Sequence, residues 1–555
     1  MFYPSGLLRA VVLMLAYVLG SASVLADVTA NQIAVPTAPM GWATWNSMAS
    51  NISYASVKAQ VDAFVAGGLP AAGYRDINID EGWWQGTRDS KGNITVDTTE
   101  WPGGMTAIVN YIHSKGLRAG IYTDAGKSGC GFYFPTPATR PAYAGTGIEG
   151  HELQDAVQFQ QWGFDFVKVD WCGGHVEKLD PQTTYTRISN ALAAASATTG
   201  HAMVLSICDW GDNQPWDWSP GLATMWRTST DILYWGNAPS TAIMLFNFDQ
   251  TLHPAAQHTG YYNDPDMMMV GMPGLSTAQN RMHMGLWAIA GAPLIAGNNL
   301  TRMTAATLAV LTNRKVIAID QDPRGLQGVK VAEDSSGLQV YSKILSGAGN
   351  RAVLLLNRNA DAAPISVRWA DIGLSTVTAV QDVWSNSALG SPALGYTANV
   401  PAGASVLLTV AGSEITGTTY EAEATGNTLS GTAAVTSCIK CSGGSEIKLV
   451  GKGATLTFNS LNAAAAGLNL VTVAYVNGDA VARTATLQVN GQVATSVSFP
   501  PTGSWNTPGT VSLLLHLDQG SGNTITLSNA SGWAPDFDAV EIQPITGTNG
   551  VAMVR

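Results

Sequence analysis

The sequence predicts a (β/α)8 barrel followed by two antiparallel β-sheet domains. Between residues 38 and 325, eight short apolar runs alternate with longer stretches of helical periodicity. Each run ends in polar or acidic residues, and the carboxyl ends of barrel strands are where such enzymes place their chemistry. Beyond Gly325 the helical periodicity stops and short alternating runs replace it. The predicted class is therefore α/β, a TIM barrel, with a β-sandwich and a β jelly-roll module behind it.

Continuous apolar runs are typical of buried parallel strands. The eight runs are residues 41–46, 76–81, 120–124, 166–170, 204–209, 225–231, 262–264 and 293–298. A doubly wound open sheet is the alternative, but it would need a glycine fingerprint after the first strand, and the sequence has none there. Residues 145–150 do match G-x-G-x-x-G, yet they follow a proline-rich stretch and not a strand, so a dinucleotide site is not favoured.

The chain divides into a leader, three domains and a linker. The barrel is expected over residues 27–328 and the β-sandwich over residues 329–411. Residues 412–419 are small and polar, which is typical of a linker. A block rich in Thr, Ser, Gly and Asn follows over residues 420–545 and is expected to form the jelly roll.

Residues 1–26 have the pattern of a secretory signal peptide. Arg9 is the only charge before the apolar run Ala10 to Leu19, and Val24-Leu25-Ala26 fits the small-residue rule for cleavage. A membrane anchor is the alternative, but the run is too short to span a bilayer. The protein is therefore expected to be secreted and to have no membrane partner.

Composition narrows the class of partner. Charged residues make up 12% of the chain and the net charge is −11. Nucleic acids and anionic membranes bind clustered Lys and Arg, so neither is an expected partner. The 17 Trp and 16 Tyr residues suit surfaces that stack on sugars or bases, although most of them are expected in the core.

Two Asp residues at strand ends are candidates for acid–base chemistry. Lys168 and Asp170 share one face of a strand, and the ammonium would favour the ionised carboxylate that a nucleophile needs. A structural ion pair is the alternative. Arg227 precedes Asp231 at a later strand end, and a glycosidase needs two carboxyl groups with different roles. Both acids would lie on one rim of a barrel, where they could flank a single sugar ring.

A further acidic pair, Asp80-Glu81, precedes the indoles of Trp83 and Trp84. Carboxylates accept hydrogen bonds from sugar hydroxyls, and an indole can stack on the apolar face of a sugar. A metal site is the alternative, but no histidine is near in the sequence. The segment 263–266 has a similar composition, and its proline favours a simple turn.

The cysteine count is odd, so at least one cysteine has no partner within the chain. The five are Cys130, Cys172, Cys208, Cys438 and Cys441. An exported protein can oxidise its cysteines, and Cys438-x-x-Cys441 is expected to form a local disulfide. A metal site is the alternative for this pair, but no second pair and no His cluster supports it.

Taken together, these segments resemble glycoside hydrolase family 27, the α-galactosidase or melibiase family. The motifs recur in the family's order from residue 38 to 328; they include Gly41-Trp42 with Trp45-Asn46, Ile77-Asn78-Ile79-Asp80, Lys168-Val169-Asp170 with Cys172, Trp226-Arg227 with Asp231, and Asn263-Asp264-Pro265-Asp266-Met267. Residues 420–544 resemble a family 35 carbohydrate-binding module through Tyr420-Glu421-Ala422-Glu423, Cys438-x-x-Cys441 and Pro535-Asp536-Phe537-Asp538.

The resemblance implies a retaining exo-glycosidase that removes terminal α-D-galactopyranosyl units from plant-type polysaccharides or oligosaccharides. Asp170 would be the nucleophile and Asp231 the acid/base, with no cofactor for catalysis. Cys130 and Cys172 would form a disulfide beside the nucleophile. The sugar subsite would be lined by Trp45, Asp80, Glu81, Tyr122, Lys168, Asp209 and Arg227.

For the C-terminal module, the resemblance implies a structural calcium ion. Glu421, Glu423 and Asp538 would bind it, since calcium prefers oxygen ligands. Asn529 and Trp533 are the candidates for sugar contact in this module.

Two residues depart from the family pattern. The family usually has a second Asp where this chain has Glu81, and often a Glu where this chain has Asp209. One methylene in a tight pocket is worth roughly 1–3 kcal/mol of discrimination, and the longer Glu81 would crowd the hydroxymethyl group of galactose. A β-L-arabinopyranoside has the same ring stereochemistry without that group, so a preference for it is one hypothesis. The other is that Glu81 and Asp209 compensate each other and galactose still fits.

Two other classes of function are compatible with the scaffold. One is a lectin with an inactive barrel, which the intact set of Lys168, Asp170, Arg227 and Asp231 argues against. The other is an isomaltose-releasing dextranase, because the family includes such enzymes.

Overall fold

Three domains follow one another along the chain. The computed structural model describes residues 35–83, 86–135, 143–233, 237–334 and 336–545. The predicted signal peptide, residues 1–26, and Trp84 lie outside these ranges. Within them, no helix has both the length and the apolar character needed to cross a membrane.

Eight parallel strands form the first domain. They are β1 (Met40–Ala43), β2 (Asp76–Asn78), β3 (Arg118–Asp124), β4 (Phe166–Asp170), β5 (Val204–Cys208), β6 (Met225–Arg227), β7 (Tyr262–Asp264) and β8 (Leu294–Ala296). Their order in the sheet is β7-β6-β5-β4-β3-β2-β1-β8. A parallel bridge between Met268 and Ala296 joins the segment after β7 to β8, which closes the ring. The predicted (β/α)8 barrel is therefore confirmed.

Some strands are shorter than the apolar runs that predicted them. β2 ends at Asn78 and β6 ends at Arg227. Asp80, Glu81 and Asp231 therefore lie on the loops beyond the strands, where the backbone is free of the sheet ladder.

Helices cover the outside of the barrel. They are α1 (Trp45–Met48), α2 (Tyr54–Ala66), α3 (Leu69–Ala72), α4 (Gly104–Ser114), α5 (Cys130–Tyr133), α6 (Glu152–Trp162), α7 (Cys172–Glu177), α8 (Pro181–Thr199), α9 (Thr241–Gln250), α10 (Thr277–Ala290), α11 (Ala305–Leu311) and α12 (Arg314–Asp320). The longest of these, α8, begins at an N-cap, Asp180, whose carboxylate accepts the Thr183 N–H at 2.8 Å. It ends at Gly200, whose φ of 72° suits a glycine cap.

A β-sandwich packs on the barrel. Its strands are β9 (Val329–Glu333), β10 (Leu338–Ile344), β11 (Asn350–Asn357), β12 (Ala363–Arg368), β13 (Leu374–Asp382), β14 (Ala388–Gly390), β15 (Gly395–Val400) and β16 (Ala404–Glu414). Six form one sheet, in the order β14-β13-β16-β11-β10-β9, and β12 pairs with β15. Tyr341, Leu354 and Leu407 belong to the same buried cluster as the barrel core, so the first two domains share one hydrophobic interior.

The segment predicted as a linker, residues 412–419, is mostly β-strand. β16 continues to Glu414 and the next strand begins at Thr418. The Gly412 N–H donates to the Gly349 carbonyl at 3.0 Å, which keeps the chain in the sheet. The small polar residues of this segment had indicated a linker, but in the structure they allow close strand pairing. Residues 415–417 alone lie between the last strand of the sandwich and the first strand of the next domain.

The third domain is a module of two antiparallel sheets. Its strands are β17 (Thr418–Glu421), β18 (Thr428–Leu429), β19 (Ala434–Ser437), β20 (Ser445–Lys448), β21 (Thr455–Ala463), β22 (Gly467–Val476), β23 (Arg483–Val489), β24 (Gln492–Phe499), β25 (Gly509–Leu517), β26 (Gly520–Ser528) and β27 (Asp536–Pro544). One sheet has the order β19-β20-β27-β22-β25, with β17 paired to β27, and the other β18-β21-β26-β23-β24.

The module is docked on the other two domains. One buried apolar cluster joins Leu326 after the barrel, Ile344 of the sandwich, and Leu470, Leu514 and Ile545 of the module. In addition, β24 approaches the barrel so closely that a Cβ atom on Gly221 would lie 2.9 Å from Ser496 Oγ. The module is therefore packed against the rest of the chain through a buried surface.

Candidate active site

A row of polar side chains follows the carboxyl ends of neighbouring barrel strands. Asp124 of β3 is in register with Asp170 of β4, and Asp170 with Cys208 of β5. Arg227 of β6 is in register with Asp264 of β7. Because parallel strands end on the same rim, this row forms one side of the barrel mouth.

Lys168 stands between two carboxylates. Its Nζ atom lies 3.0 Å from Asp80 Oδ2 and 3.5 Å from Asp170 Oδ1. The ammonium also lies 5.3 Å from the centre of the Tyr122 ring. The predicted sharing of one face by Lys168 and Asp170 therefore gives a real ion pair, with Asp80 as a second anion.

Arg227 holds a second pair of carboxylates. Its guanidinium lies 3.1 Å from Asp231 Oδ1 and 3.1 Å from Asp266 Oδ2, and the Arg227 side chain is only 3% exposed. Its Nη1 also contacts Cys208 Sγ at 3.4 Å. A buried guanidinium with two carboxylate partners has its charge balanced and its position fixed.

Sequence reasoning missed Asp266, which had been interpreted as part of a turn. Its carboxylate accepts the Ile232 N–H at 2.7 Å as well as pairing with Arg227. Asp266 has a φ of 82°, a strained conformation for a residue with a side chain. Its position in the sequence could have indicated a functional residue, because Asp266 lies just beyond the seventh predicted strand of a barrel.

One cavity brings most of the predicted sugar-binding residues together. Its wall includes Asp80, Tyr122, Lys168 and Arg227. The apolar side chains of Phe166, Met225 and Ile295 also line it. We call this space the inner cavity. The interior of a (β/α)8 barrel is packed with side chains, which closes the base of such a space.

Glu81 lies beside the inner cavity and faces the loop after β3. It is 2% exposed, and its two carboxylate oxygens accept the Gly131 N–H at 2.8 and 3.0 Å. Burial, together with the charges of Asp170 and Asp80, raises the pKa of Glu81 to about 8. Glu81 therefore carries a proton at neutral pH, although its sequence neighbours suggested an ionised hydrogen-bond acceptor.

Two predicted sugar-binding residues, Trp45 and Asp209, are not among the residues that line the inner cavity. Trp45 packs against Ala43, Met267 and Ile295, all of which line the cavity. Asp209 is fully buried, and burial raises its pKa to about 6. Its Oδ2 atom has no hydrogen-bond partner among the described residues, whereas Oδ1 accepts the Gly211 N–H at 3.2 Å.

Two disulfides are present in the described part of the chain. Cys130 pairs with Cys172, and Cys438 with Cys441. The sulfur of Cys130 touches Asp170 Oδ2 at 3.3 Å, so the first disulfide forms part of the wall around this carboxylate. Cys208 is free and buried.

Asp170 carries a raised pKa. Burial raises the pKa of Asp170 most, and the negative charges of Asp80 and Asp231 raise it further. The Lys168 ammonium lowers it, and the resulting pKa is about 6. The sequence had suggested that Lys168 keeps this carboxylate ionised. Lys168 does act in that direction, but burial is the stronger effect.

Comparisons with known proteins agree with this geometry. Residues 37–322, just over half of the chain, match the family described as alpha galactosidase A. The chain belongs to the α-galactosidase A family. It is thus a glycoside hydrolase, as the motifs predicted. Residues 335–410 match the alpha galactosidase C-terminal beta sandwich domain.

Relatives of this glycoside hydrolase support the assignment. Alpha-galactosidase A of Cellvibrio japonicus is 40% identical over 341 residues, which cover 60% of this chain and 79% of that protein. The crystal structure of alpha-galactosidase I from Mortierella vinacea is 29% identical with a TM-score of 0.61, over 69% of this chain and 99% of that one. A GH27 β-L-arabinopyranosidase from Geobacillus stearothermophilus, 21% identical over 68% of this chain and 97% of its own with a TM-score of 0.58, shares the fold.

The C-terminal domain of the enzyme is a carbohydrate-binding module. Residues 455–542 match a domain described as the alpha-galactosidase CBM13 domain, so the family number differs from the 35 expected from the motifs. Trp533 lies under the Lys452 ammonium at 4.9 Å, and the Asn529 side chain is engaged with Thr484 and the Gly532 N–H. Sugar contact by these two residues stays a prediction.

The three predicted calcium ligands converge on one loop. The Ser442 hydroxyl donates to Glu421 Oε2 at 2.5 Å and lies 3.0 Å from Asp538 Oδ1. A Cβ atom on Gly443 would clash with Glu423 Oε1, and Glu423 Oε2 is buried with no partner among the described residues. Among all the described residues, two groups place three possible metal-ligand atoms within 4.8 Å of one another. They are Asp124 with Cys130 and Cys172, and Glu446 with Cys438 and Cys441, so both contain disulfide sulfurs and neither is the predicted calcium site.

Proposed function

We propose that this α-galactosidase-family enzyme is a secreted, retaining exo-glycosidase that removes terminal α-D-galactopyranosyl units. The observation that carries the proposal is the pair of acids, Asp170 and Asp231, which pair with different cations, Lys168 and Arg227, beside one cavity. A retaining mechanism needs two carboxyl groups that remain distinct in role. Here each carboxyl group has a different cation as its partner, Lys168 for Asp170 and Arg227 for Asp231.

In this mechanism Asp170 attacks the anomeric carbon while Asp231 protonates the departing oxygen. The bond from Asp170 to the sugar replaces the glycosidic bond, and Asp231 is left as a carboxylate. Asp231 then takes a proton from water, and the water oxygen displaces Asp170 from the sugar. Two inversions give net retention of configuration.

The closed base of the inner cavity supports exo action. Its lining includes the buried barrel side chains of Phe166 and Met225, and a packed barrel interior gives a polymer no path through the barrel. A sugar at the non-reducing end can enter with its hydroxyls toward Asp80, Lys168 and Arg227. The two carboxyl groups supply both the nucleophile and the proton, so the proposed catalysis needs no cofactor.

A second candidate substrate is a terminal β-L-arabinopyranosyl unit. Glu81 is longer than the Asp usual in the family, and it is buried, so its extra methylene cannot turn out to solvent. Its hydrogen bonds to Gly131 fix the direction of the side chain, and we propose that the longer side chain takes up part of the space that a hydroxymethyl group needs. Rates on nitrophenyl α-D-galactopyranoside and nitrophenyl β-L-arabinopyranoside, measured side by side, test both candidates, and no turnover of either would refute the proposed function.

Shortening Glu81 is expected to favour galactose. Glu81→Asp removes one methylene, and we expect the ratio of galactosidase to arabinopyranosidase kcat/KM to rise by roughly tenfold. Glu81→Gln is the matched control because it keeps the length of the side chain, and its ratio should stay close to that of the unchanged enzyme. An equal change of ratio in both variants would show that the carboxyl group itself, and not the length of the side chain, sets the preference.

The rate is expected to fall on the acid side near pH 6. Asp170 attacks only when ionised, and with a pKa of about 6 it is protonated below that pH. Asp80→Asn removes a charge that raises the pKa of Asp170, so the acid limb of kcat/KM should move to lower pH. A pH profile of both proteins checks this, and a limb at the same pH in both would contradict the assignment.

We propose that residues 1–26 direct secretion and that the module binds calcium through Glu421, Glu423 and Asp538. An ion there would satisfy the unpartnered Glu423 oxygen and relieve the charges of Glu421 and Asp538, which contribute with burial to a raised Glu423 pKa. The ion would supply charge balance in a structural role.

Calcium is expected to raise the melting temperature of the full-length enzyme. A ligand at 100 times its Kd stabilises the folded state by about 2.7 kcal/mol. Thermal unfolding in calcium and in a chelator measures the shift. Asp538→Asn should abolish it, whereas Asp518→Asn, elsewhere in the module, should keep it. A shift of equal size in both variants would place the ion elsewhere.

A further inference from the structure

A buried amide on helix α9 joins the two loops that follow β6 and β7. The Asn247 side chain is fully buried, and its Nδ2 group donates to the Thr230 carbonyl at 2.9 Å and to the Pro265 carbonyl at 3.0 Å. Thr230 directly precedes Asp231, the proposed acid/base residue. Pro265 directly precedes Asp266. Both hydrogens of one amide group therefore hold two neighbouring loops together.

The loop after β7 is anchored to the helix behind it. The indole N–H of Trp287, a buried residue of α10, donates to the Asp266 carbonyl at 2.9 Å. The Asp266 N–H donates to Asp264 Oδ1 at 2.8 Å, and the Met267 N–H donates to Asp266 Oδ1 at 2.6 Å. This loop can therefore serve as a fixed support for the loop beside it.

The loop that carries Asp231 lies beyond the sheet ladder. Because β6 ends before Asp231, pairing with neighbouring strands does not fix this residue. Its two neighbours in the chain are fixed instead. Asn247 holds the Thr230 carbonyl on one side. On the other side Asp266 accepts the Ile232 N–H at 2.7 Å, so the backbone is held both before and after the acid.

The rate depends strongly on the position of this carboxyl group. A general acid acts only within hydrogen-bond reach of the oxygen that it protonates, and a displacement of about 1 Å can cost about 10²-fold in rate. The Asp231 side chain is 27% exposed, compared with 10% for Asp170, so less of the surrounding protein confines it. Asp170 lies on a strand, whereas Asp231 depends on the contacts of its loop.

Asparagine is otherwise a poor choice for position 247. It favours an α-helix less than alanine or leucine does, and the other buried side chains of α9, Met244 and Phe248, are apolar. The Oδ1 atom of Asn247 has no hydrogen-bond partner among the described residues. The two hydrogen bonds to Thr230 and Pro265 are therefore what the amide contributes.

We propose that Asn247 is a positioning residue that holds the carboxyl group of Asp231 in place for protonation of the leaving group. The proposal rests on the proposed acid/base role of Asp231. Asn247 is not among the residues that line the inner cavity, so it acts through Asp231 and not on the sugar. Leucine at this position would keep about the same side-chain size but would leave both carbonyls without their donor. Asp231 would then shift, and the step that needs its proton would slow.

The test compares two small leaving groups on the full-length protein. The methanol that leaves from methyl α-D-galactopyranoside needs a proton, whereas the fluoride that leaves from α-D-galactopyranosyl fluoride does not. We expect Asn247→Leu to lower the ratio of kcat/KM on the methyl glycoside to that on the fluoride by on the order of 10²-fold. Asn247→Ala loses the same two hydrogen bonds without adding an apolar side chain, and it gives the measurement if circular dichroism shows that the leucine variant does not fold.

Asn280→Leu is the matched control. Asn280 is also a buried residue of a helix, α10, and its Nδ2 group also donates to two backbone carbonyls, those of Leu275 and Ser276, at 3.3 and 3.0 Å. Neither carbonyl belongs to the loop that carries Asp231, so the ratio for this variant should equal that of the unchanged protein.

The outcomes separate this residue from the reaction itself. An unchanged protein that hydrolyses neither substrate would overturn the proposed function and, with it, the role of Asn247. Turnover of both substrates with the same ratio in the Asn247 variants would overturn the positioning role alone. Equal losses on both substrates would also overturn it, because they would show damage to the fold or to sugar binding and not to proton transfer. A fall of the ratio in Asn280→Leu as large as in Asn247→Leu would do the same.

Discussion

Replacing Asp170 with asparagine is expected to lower kcat/KM by on the order of 10⁴-fold, as loss of a nucleophilic or supporting carboxylate does in other hydrolases. Asparagine keeps the size of the side chain and its contact with Lys168 but cannot form the bond to the sugar. Initial rates on the nitrophenyl glycosides measure the loss. Circular dichroism and the melting temperature show whether the fold is kept.

Asp124→Asn is the matched control for this variant. Asp124 is the buried register neighbour of Asp170, but its Oδ1 atom accepts the N–H groups of Gly126 and Gly173. Burial raises the pKa of Asp124 well above its ordinary value, and the amide oxygen of an asparagine can accept the same two N–H groups. This variant should retain most of the activity. Equal losses in the two variants would show that the effect at Asp170 is structural.

The chemistry of Asp170 can also be tested by rescue. Asp170→Gly leaves space beside Lys168 that a small anion such as azide can enter. We expect azide to restore turnover of a substrate with a good leaving group and to give a glycosyl azide of inverted configuration, because one displacement replaces two. A product of retained configuration would contradict the assignment of Asp170 as the nucleophile.

Replacing Asp231 with asparagine is expected to slow substrates according to their leaving group. General acid catalysis typically contributes 10²–10⁴-fold, and a sugar alcohol needs that proton whereas fluoride does not. We therefore expect kcat/KM on melibiose to fall by roughly 10³-fold while hydrolysis of the galactosyl fluoride falls far less. The asparagine can still accept from Arg227, whose Nη1 lies 3.1 Å from the present carboxylate.

Hydrolysis of the glycosyl-enzyme gives a second measurement on the same variant. Asp231 would also act as the base for the attacking water, so with the fluoride the glycosyl-enzyme should accumulate and produce a burst of released fluoride. A uniform loss on all substrates, without a burst, would contradict the acid/base role.

The sequence predicted the barrel well because buried parallel strands leave a local signal. Each strand is a short apolar run, and the polar residue that ends it marks the rim. The pairing of Lys168 with Asp170 was predictable for the same reason, since alternation along one strand puts both side chains on one face. In the folded barrel the two charged groups lie 3.5 Å apart.

The remaining features depend on contacts between distant segments. Glu81 turns to the Gly131 N–H, 50 residues away, and no local pattern specifies that direction. Asp266, whose backbone has a positive φ, pairs with Arg227 on the neighbouring strand. Cys208 meets Arg227 because β5 and β6 are adjacent in the closed ring. Such contacts are set by the assembled barrel, so they could be found only in three dimensions.

The shared apolar cluster of Leu326, Ile344, Leu470, Leu514 and Ile545 has a consequence for protein engineering. Cutting the chain at residues 415–417 would bare this surface on both fragments, and each fragment would be prone to aggregate. Transplanting the module onto another catalyst would carry the same cost. The three domains are therefore best expressed together as one protein. A useful chimera would have to include the residues that the module covers, Leu326 and Ile344.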